Sequence, residues 1–491
     1  MKAANNKSHE TGTRWRGVYI NGHAEDGLGP TFSVDNPWTR GSIAVISSAS
    51  QSQINNAVSA AREAHRSWNL SGYIDRAEYL LALAAALEAD SENMVQIITD
   101  EQGKTLRESE QEVRGAFNYL RYMAGWARHV EGEILPNNKG NEHIFLFRKP
   151  YGVVGAILPW NFPLFLLVRK VAPALLAGNT VVVKPSELTP LNALRFCALT
   201  QQAQFPAGVL NVICGDESVG RHLVSHRDLN MITFTGSTDA GRSIMRTASD
   251  TLAKVSLELG GNAPALVLDD ADLDLAVEAI YDSRVENAGQ VCNCADRIYV
   301  QRRLLKEFTR KIADKMGHTS WGNPRDPSVA MGPLISEEQR QRVVQLVNQS
   351  VKDGAIIETG GHPSAEDKGY CFEPTVLSQC RQDMAIVQNE IFGPVLPIIG
   401  FDAIQEAVDM ANGTPYGLTS SLFTRDIDRA MEISDALEFG ETFINREHGE
   451  IYHAFHSGWK QSGVGGDDGK HGLDEFMRIH ATYLRYGRIL N

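Results

Sequence analysis

The sequence is poor in cysteine, has no long apolar run and carries no excess of positive charge. Six cysteines among 491 residues (Cys197, Cys214, Cys292, Cys294, Cys371, Cys380) are too sparse for a disulfide framework and suit a reducing cytoplasm, where the protein is expected. No stretch approaches the roughly 18 consecutive apolar residues of a membrane span, so no membrane partner is expected. A formal net charge of -13 argues against general affinity for nucleic acid and confines any anion site to a local pocket. Met1 to Thr13 is polar, lacks an apolar h-region and is expected to be a frayed arm, neither signal peptide nor anchor. No metal site is expected: Cys292-Asn293-Cys294 stands without a second Cys or His pair at zinc-finger spacing. No repeat or low-complexity segment is evident.

What is present is an ordinary globular balance, 43% hydrophobic and 22% charged, in a chain long enough for two or three domains. Between Ser50 and Asp90, Ala57, Ala60 and Ala64 and then Tyr79, Leu80, Leu83 and Leu87 recur at helical spacing. Val153 to Leu158 reads as a strand, Pro159-Trp160-Asn161-Phe162-Pro163 as a loop, and Leu166 to Leu176 as a helix. Thr180 to Val183 is a second strand with Lys184-Pro185-Ser186-Glu187 as its exit, followed by a helix expected to start with Thr189 as N-cap and Pro190 in its first turn. Met231 to Phe234 runs into Thr235-Gly236-Ser237-Thr238 and another helix. Strands alternating with helices imply a doubly wound, parallel α/β sheet, whose ligands bind at the carboxyl ends of the strands. Asn161, Lys184, Glu187, Gly236 and Ser237 all fall at such ends. A second α/β pattern, with Ala263 to Leu268 and Arg297 to Val300 as strands, runs to about Asn445 and carries Cys292.

Cys292 is set among glycine, amide and polar residues, Asn287-Ala288-Gly289-Gln290-Val291-Cys292-Asn293. The local sequence leaves a thiolate nucleophile and a buried structural thiol evenly matched. Gly236-Ser237 after a strand suits a phosphate at a helix start, although a plain turn has the same residues. Gly463-Val464-Gly465-Gly466-Asp467-Asp468-Gly469 follows no clear strand and reads as a loop rather than a dinucleotide fingerprint. Lys184 and Glu187 form either a solvated pair or a ribose site, an acidic group there accepting ribose hydroxyls and favouring NAD over NADP. Glu258, between apolar neighbours before Gly260-Gly261, is either exposed at a strand end or buried enough to have its pKa raised into the range of a general base. Asn161 is either a turn residue or the amide donor of an oxyanion hole.

Phe234-Thr235-Gly236-Ser237-Thr238, Leu257-Glu258-Leu259-Gly260-Gly261, the segment Asn287 to Cys292, Pro159 to Pro163 and Glu390-Ile391-Phe392-Gly393-Pro394 together resemble the NAD(P)-dependent aldehyde dehydrogenase superfamily over nearly the whole chain. The resemblance implies a Rossmann-type cofactor domain, an α/β catalytic domain and a small oligomerisation hairpin and tail. The cofactor domain would comprise residues 14–127 and 152–262 with part of 446–470, the catalytic domain 263–445, and the oligomerisation elements 128–151 and 471–491. It implies Cys292 as nucleophile, Glu258 as general base, and Asn161 with the Cys292 backbone amide as oxyanion hole. Leu158, Trp160, Lys184, Ser186, Glu187, Gly236, Ser237, Leu259, Glu390 and Phe392 would hold the cofactor, NAD in preference to NADP. Relatives in this superfamily form dimers and tetramers, so a homo-oligomer is expected, with the strand-like tail His480 to Tyr486 added to a neighbour's sheet edge.

The pocket departs from members that act on apolar aldehydes: Arg169 stands where tryptophan is frequent, and His456 replaces an aromatic. A guanidinium there contacts either substrate or a carboxylate such as Glu450. The segments Asp282 to Val285, Val291 to Ala295, Gly440 to Glu447 and Gly469 to Leu473 are similar to the lactaldehyde/glycolaldehyde branch, which implies a small 2-hydroxyaldehyde substrate bound by Arg169, Asn293, Glu450 and His456. Succinate semialdehyde is the rival substrate. A CoA-acylating enzyme, which usually lacks the Glu258 base, and a catalytically silent NAD-binding protein are the alternatives from other classes.

Overall fold

The computed structural model describes residues 15–364 and 369–487; the polar arm of residues 1–13 and the last residues of the expected C-terminal element, 488–491, lie outside it. Two large sheets organise the chain. In the first, Leu210–Ile213, Thr180–Lys184, Val153–Ile157, Met231–Thr235 and Lys254–Glu258 lie side by side and parallel. All but the last are buried along their whole length, as parallel strands covered by helices on both faces must be. Covering helices include Gln51–Trp68, started by a capping box between Ser50 and Gln53, and Pro163–Ala177. Ala57, Leu80, Leu83 and Leu87 are buried, whereas Ala60, Ala64 and Tyr79 are only partly so.

Two local expectations are corrected. The helix Leu191–Gln202 does not use Thr189 as its cap; Pro190 takes that place. The carboxylate of buried Glu101 instead accepts from the amides of Leu191 at 2.7 Å and Asn192 at 3.0 Å, a long-range substitute for a local cap. Gly463–Val464, read as loop, forms a short strand on the edge of the first sheet, pairing Gly463 with Glu258 and Val464 with Leu257. This edge strand carries the chain on to Asp467 and Asp468 beneath the active site.

The second sheet runs Ile356–Thr359, Thr375–Ser378, Val395–Phe401, Ala295–Gln301, Ala263–Val267, Thr419–Phe423, Glu441–Ile444, parallel except at its first strand. Cys292 lies just before Ala295–Gln301, at the carboxyl-end side of the first sheet. A third sheet pairs Glu133–Leu135, Glu142–Pro150 and Met477–Arg485 in antiparallel fashion. The tail strand, expected on a neighbour's edge, is thus paired along nine residues with the hairpin of its own chain. Ile134, Phe147, Ile479 and Tyr483 of this sheet are exposed.

Candidate active site

The loop that presents Cys292 is backbone-constrained. Asn287, Ala288 and Gly289 all have positive φ (47°, 55° and 72°), a conformation costly for the two residues that carry a Cβ. Hydrogen bonds hold it: the Asn287 amide donates to Glu108 Oε1 at 2.7 Å, and Asn287 Oδ1 accepts from Gln102 at 2.9 Å. At Gly289 a Cβ would stand 2.3 Å from the Gly393 carbonyl, and at Gly261 one would stand 2.1 Å from the Cys292 carbonyl. Glycine at these two places lets the strand exits close on the Cys292 backbone. Cys292 itself is partly buried. Its thiol is raised by burial, against which His456 pulls downward.

Asn161 is buried, and its Nδ2 donates to the Gln290 carbonyl at 3.0 Å while Asn287 Nδ2 donates to the Asn161 carbonyl at 3.1 Å. One amide N–H is thereby anchored. The other remains for the cavity of about 180 Å³ that Asn161 and Cys292 line together with Trp160, Leu259, Glu390 and Phe392. Through Trp160, Gly236 and Ser237 this cavity continues into a groove of about 330 Å³ bounded by Leu158, Lys184, Ser186 and Glu187. Lys184 Nζ and Glu187 Oε2 are 3.0 Å apart at the strand exit. Ser237 caps the helix Thr238–Ala248, so that helix's amino end faces the groove. Glu390 accepts from the Gly261 amide at 3.0 Å, and the Trp160 and Phe392 rings meet edge to face at 5.3 Å.

The groove fits a dinucleotide on its own chemistry. It is long, apolar along one wall, acidic at the ribose position beyond Lys184, glycine-lined at a helix start, and it ends at a thiol. The Thr235 hydroxyl is buried in it with no partner among the described residues.

Behind Cys292 lies a buried ionic cluster. Arg169 pairs with Asp468 through Nε, at 3.0 Å, and through Nη2, and with Glu450 Oε2 at 2.9 Å. The salt bridge weighed for Arg169 is therefore present, and it includes an aspartate that sequence reasoning did not single out. Lys170 joins at 2.7 Å from Asp467. Asn293 donates to Glu450 Oε1 at 2.8 Å and to the His448 carbonyl at 3.1 Å, closing the loop that carries Glu450 onto the Cys292 loop. His456 Nδ1 stands 2.6 Å from Glu441 Oε2 and 3.3 Å from Glu450 Oε1, with Nε2 3.6 Å from Glu258 Oε2. Burial disfavours charge on this ring, yet Glu450 with Cys292 and Glu441 outweighs it, and its pKa lies well above the ordinary value. Glu258 is pushed up to about 8, chiefly by burial, with His456 opposing; neither of its oxygens has a hydrogen-bond partner among the described residues.

The structure thus gathers the sequence-derived residues in two groups that meet at Cys292: the groove side and, through His456 and Glu258, the ionic side. Sequence reasoning missed Lys170, Glu441, Asp467 and Asp468 as members of the site. Asp467-Asp468 carried a signal, two adjacent carboxylates in a glycine-rich string, but their partner Arg169 is 299 residues away.

The aldehyde dehydrogenase family model matches residues 24–482. Lactaldehyde dehydrogenase of Escherichia coli (strain K12) is 44% identical over 95% of this chain and 98% of its own. 3,6-Anhydro-alpha-L-galactose dehydrogenase of Streptomyces coelicolor is 44% identical over 93% of each chain. A crystal structure of the Escherichia coli lactaldehyde dehydrogenase superposes with a TM-score of 0.94, covering 96% of this chain and 99% of that one. With these matches along almost its whole length, the chain belongs to the aldehyde dehydrogenase family.

Proposed function

We infer that the protein oxidises a small hydroxylated aldehyde, of the lactaldehyde or glycolaldehyde kind, to its carboxylic acid with NAD. The observation that carries this reading is the ionic wall behind Cys292, in which acidic groups outnumber basic ones. Glu258, Glu441, Glu450, Asp467 and Asp468 face Arg169, Lys170 and His456. Arg169 is already neutralised by its carboxylates, so a substrate carboxylate would meet net negative charge, whereas a hydroxyl can both donate and accept there. This favours a hydroxyaldehyde over succinate semialdehyde. The relatives named for lactaldehyde and anhydrogalactose point to the same polar class.

Cys292 attacks the carbonyl carbon as thiolate, and the oxyanion is held by the free N–H of Asn161 and the Cys292 backbone amide. When bound in the groove, NAD supplies the hydride acceptor that turns the adduct into a Cys292 thioester. Glu258, its oxygens without hydrogen bonds among the described residues and 3.6 Å from His456 Nε2, takes a proton from the water that hydrolyses the thioester. Lys184 and Glu187 would hold the ribose, Gly236 and Ser237 the pyrophosphate, Glu390 and Phe392 the nicotinamide end. The two large sheets support the division into a cofactor domain (14–127, 152–262 and part of 446–470) and a catalytic domain (263–445). The exposed apolar side chains of the third sheet support a homo-oligomer, dimer or tetramer, formed through 128–151 and 471–491.

Steady-state rates across lactaldehyde, glycolaldehyde, succinate semialdehyde and hexanal test the reading. The two hydroxyaldehydes are expected to exceed the other two in kcat/KM by at least about tenfold, since a polar site is left unpaired by hexanal and repels the semialdehyde. Equal rates for succinate semialdehyde would refute the substrate class; product formed only with CoA, or no NADH with any aldehyde, would refute the activity. Glu187 gives a separate check. Replacing it by Gln removes the carboxylate that faces a 2′-phosphate, and the ratio of kcat/KM for NAD over NADP is expected to fall about tenfold. An unchanged ratio would show that Glu187 does not set the preference.

A further inference from the structure

Cys294, the second cysteine of Cys292-Asn293-Cys294, is buried and lines neither the cavity beside Cys292 nor the groove that continues from it. Burial pushes its thiol up to about 12, with Arg284 opposing, so near neutral pH it is an S–H. That S–H donates to the Val291 carbonyl at 3.1 Å, and the sulfur accepts from Arg284 Nη1 at 3.3 Å. The Val291 carbonyl and the Cys292 N–H belong to one planar peptide unit. A donor fixed on the carbonyl therefore sets the direction of the N–H.

Arg284 can hold the sulfur because it is itself held. It stands in the last turn of the helix Leu273–Val285 and is 0% exposed, and a guanidinium so buried must be paired. Nη2 pairs with Asp296 of the strand Ala295–Gln301, whose other carboxylate oxygen accepts from the Ile391 amide at 3.4 Å. Nη1 also donates to the Gly393 carbonyl at 3.1 Å. The guanidinium is thus anchored from three sides, with the sulfur as one of its acceptors.

We propose that Arg284 and Cys294 are positioning residues for the oxyanion hole: the guanidinium fixes the thiol, the thiol fixes the Val291–Cys292 peptide, and that peptide presents the Cys292 N–H to the substrate oxygen. The chain also polarises in one direction. A cationic donor on sulfur strengthens the S–H as donor to the Val291 carbonyl, and a carbonyl so engaged makes the N–H of the same peptide a better donor.

Given Cys292 as the nucleophile, on which the proposal rests, two reactions of its sulfur separate the oxyanion hole from the thiolate without aldehyde or cofactor. p-Nitrophenyl acetate transfers its acetyl group to sulfur through a tetrahedral oxyanion and releases p-nitrophenolate; iodoacetamide alkylates the same sulfur with loss of iodide and forms no oxyanion. Both rates are measured on the full-length protein at one pH, with the modified peptide identified by mass spectrometry. In Cys294→Ala acylation is expected to fall about tenfold, below the cost of deleting an oxyanion donor outright, while alkylation stays within about twofold. Cys294→Ser, which keeps a donor, is expected to recover part of the loss. Arg284→Lys keeps the charge but not the fork, and should lower the ratio of acylation to alkylation about threefold. A ratio unchanged in Cys294→Ala, one not recovered in Cys294→Ser, or two rates that fall together overturns the proposal. If Cys294→Ala does not fold, Arg284→Lys decides: an unchanged ratio there overturns it. A parent protein that the ester does not acylate at Cys292 overturns both the proposal and the nucleophile, whereas one that is acylated but oxidises no aldehyde sinks the proposed function alone.

Discussion

Replacing Glu258 by Gln is expected to lower steady-state kcat about 1000-fold while leaving a first-turnover burst of NADH. General-base assistance in such sites contributes between about 100-fold and 10,000-fold, and the amide keeps the shape of the carboxylate without its basicity. The burst survives because thioester formation needs the thiolate and the oxyanion hole, not the water base. The pH dependence follows from burial. Glu258 has its pKa pushed up to about 8, and a general base works ionised, so the parent's hydrolytic rate should climb through about pH 8 and fall about tenfold per pH unit below that range. The variant should lose this limb. Stopped-flow absorbance at the NADH wavelength from pH 6 to 9.5 checks both halves. A burst that disappears along with the steady-state rate would assign Glu258 to the first half-reaction instead, and a retained limb would assign the titration to another group.

The division between what the sequence made legible and what it left hidden follows the range of the interactions. Thr180–Lys184 and Val153–Ile157 are buried throughout because both faces are covered, and their exits carry Lys184, Glu187 and Asn161 at the ends where ligands of a parallel sheet bind. Such local patterns are readable; Cys292 and Glu258 each keep two readings on local context, and their roles as nucleophile and base come only from the family resemblance. The cap of the helix Leu191–Gln202 was not readable, because its donor-satisfying carboxylate, Glu101, is 90 residues away. Nor was the strand Gly463–Val464, since two residues contain no period; only pairing with Leu257 and Glu258 makes it a strand. Asp468 was hidden for the same reason. Its meaning lies entirely in Arg169, and the pair exists only once the edge strand has turned the glycine-rich segment beneath the helix Pro163–Ala177.

That dependence makes Arg169→Met the most damaging change expected for stability. The methionine fills much of the aliphatic volume but leaves Asp468 without its cation and Glu450 with His456 alone. Breaking one partner out of a buried ionic network costs about 3–5 kcal/mol, because the remaining charges keep their desolvation penalty and lose what offset it. The sign of the pH dependence is fixed by the carboxylates. In the parent, burial raises Glu450 but Arg169 and His456 together outweigh it and hold the group below the ordinary value, so its contribution is present above the unfolded pKa and lost on acidification through the folded one. Burial already lifts Asp468 to about 6 against the pull of Arg169. Without the guanidinium both groups move up in the folded state, Asp468 above its value in the parent and Glu450 against His456 alone, so the variant binds more protons on folding than the parent and loses stability relative to it as pH rises. The gap between parent and variant should therefore widen from pH 5 to pH 8. Urea unfolding at the two pH values measures it, and a gap below about 1 kcal/mol, or one that narrows at pH 8, would contradict the account. Adding Asp468→Asn to Arg169→Met should recover part of the loss by removing one of the two stranded charges, whereas Asp468→Asn alone should cost stability because it takes a bidentate partner from Arg169. Opposite signs for the same aspartate change in the two backgrounds would establish that Arg169 and Asp468 act as one unit.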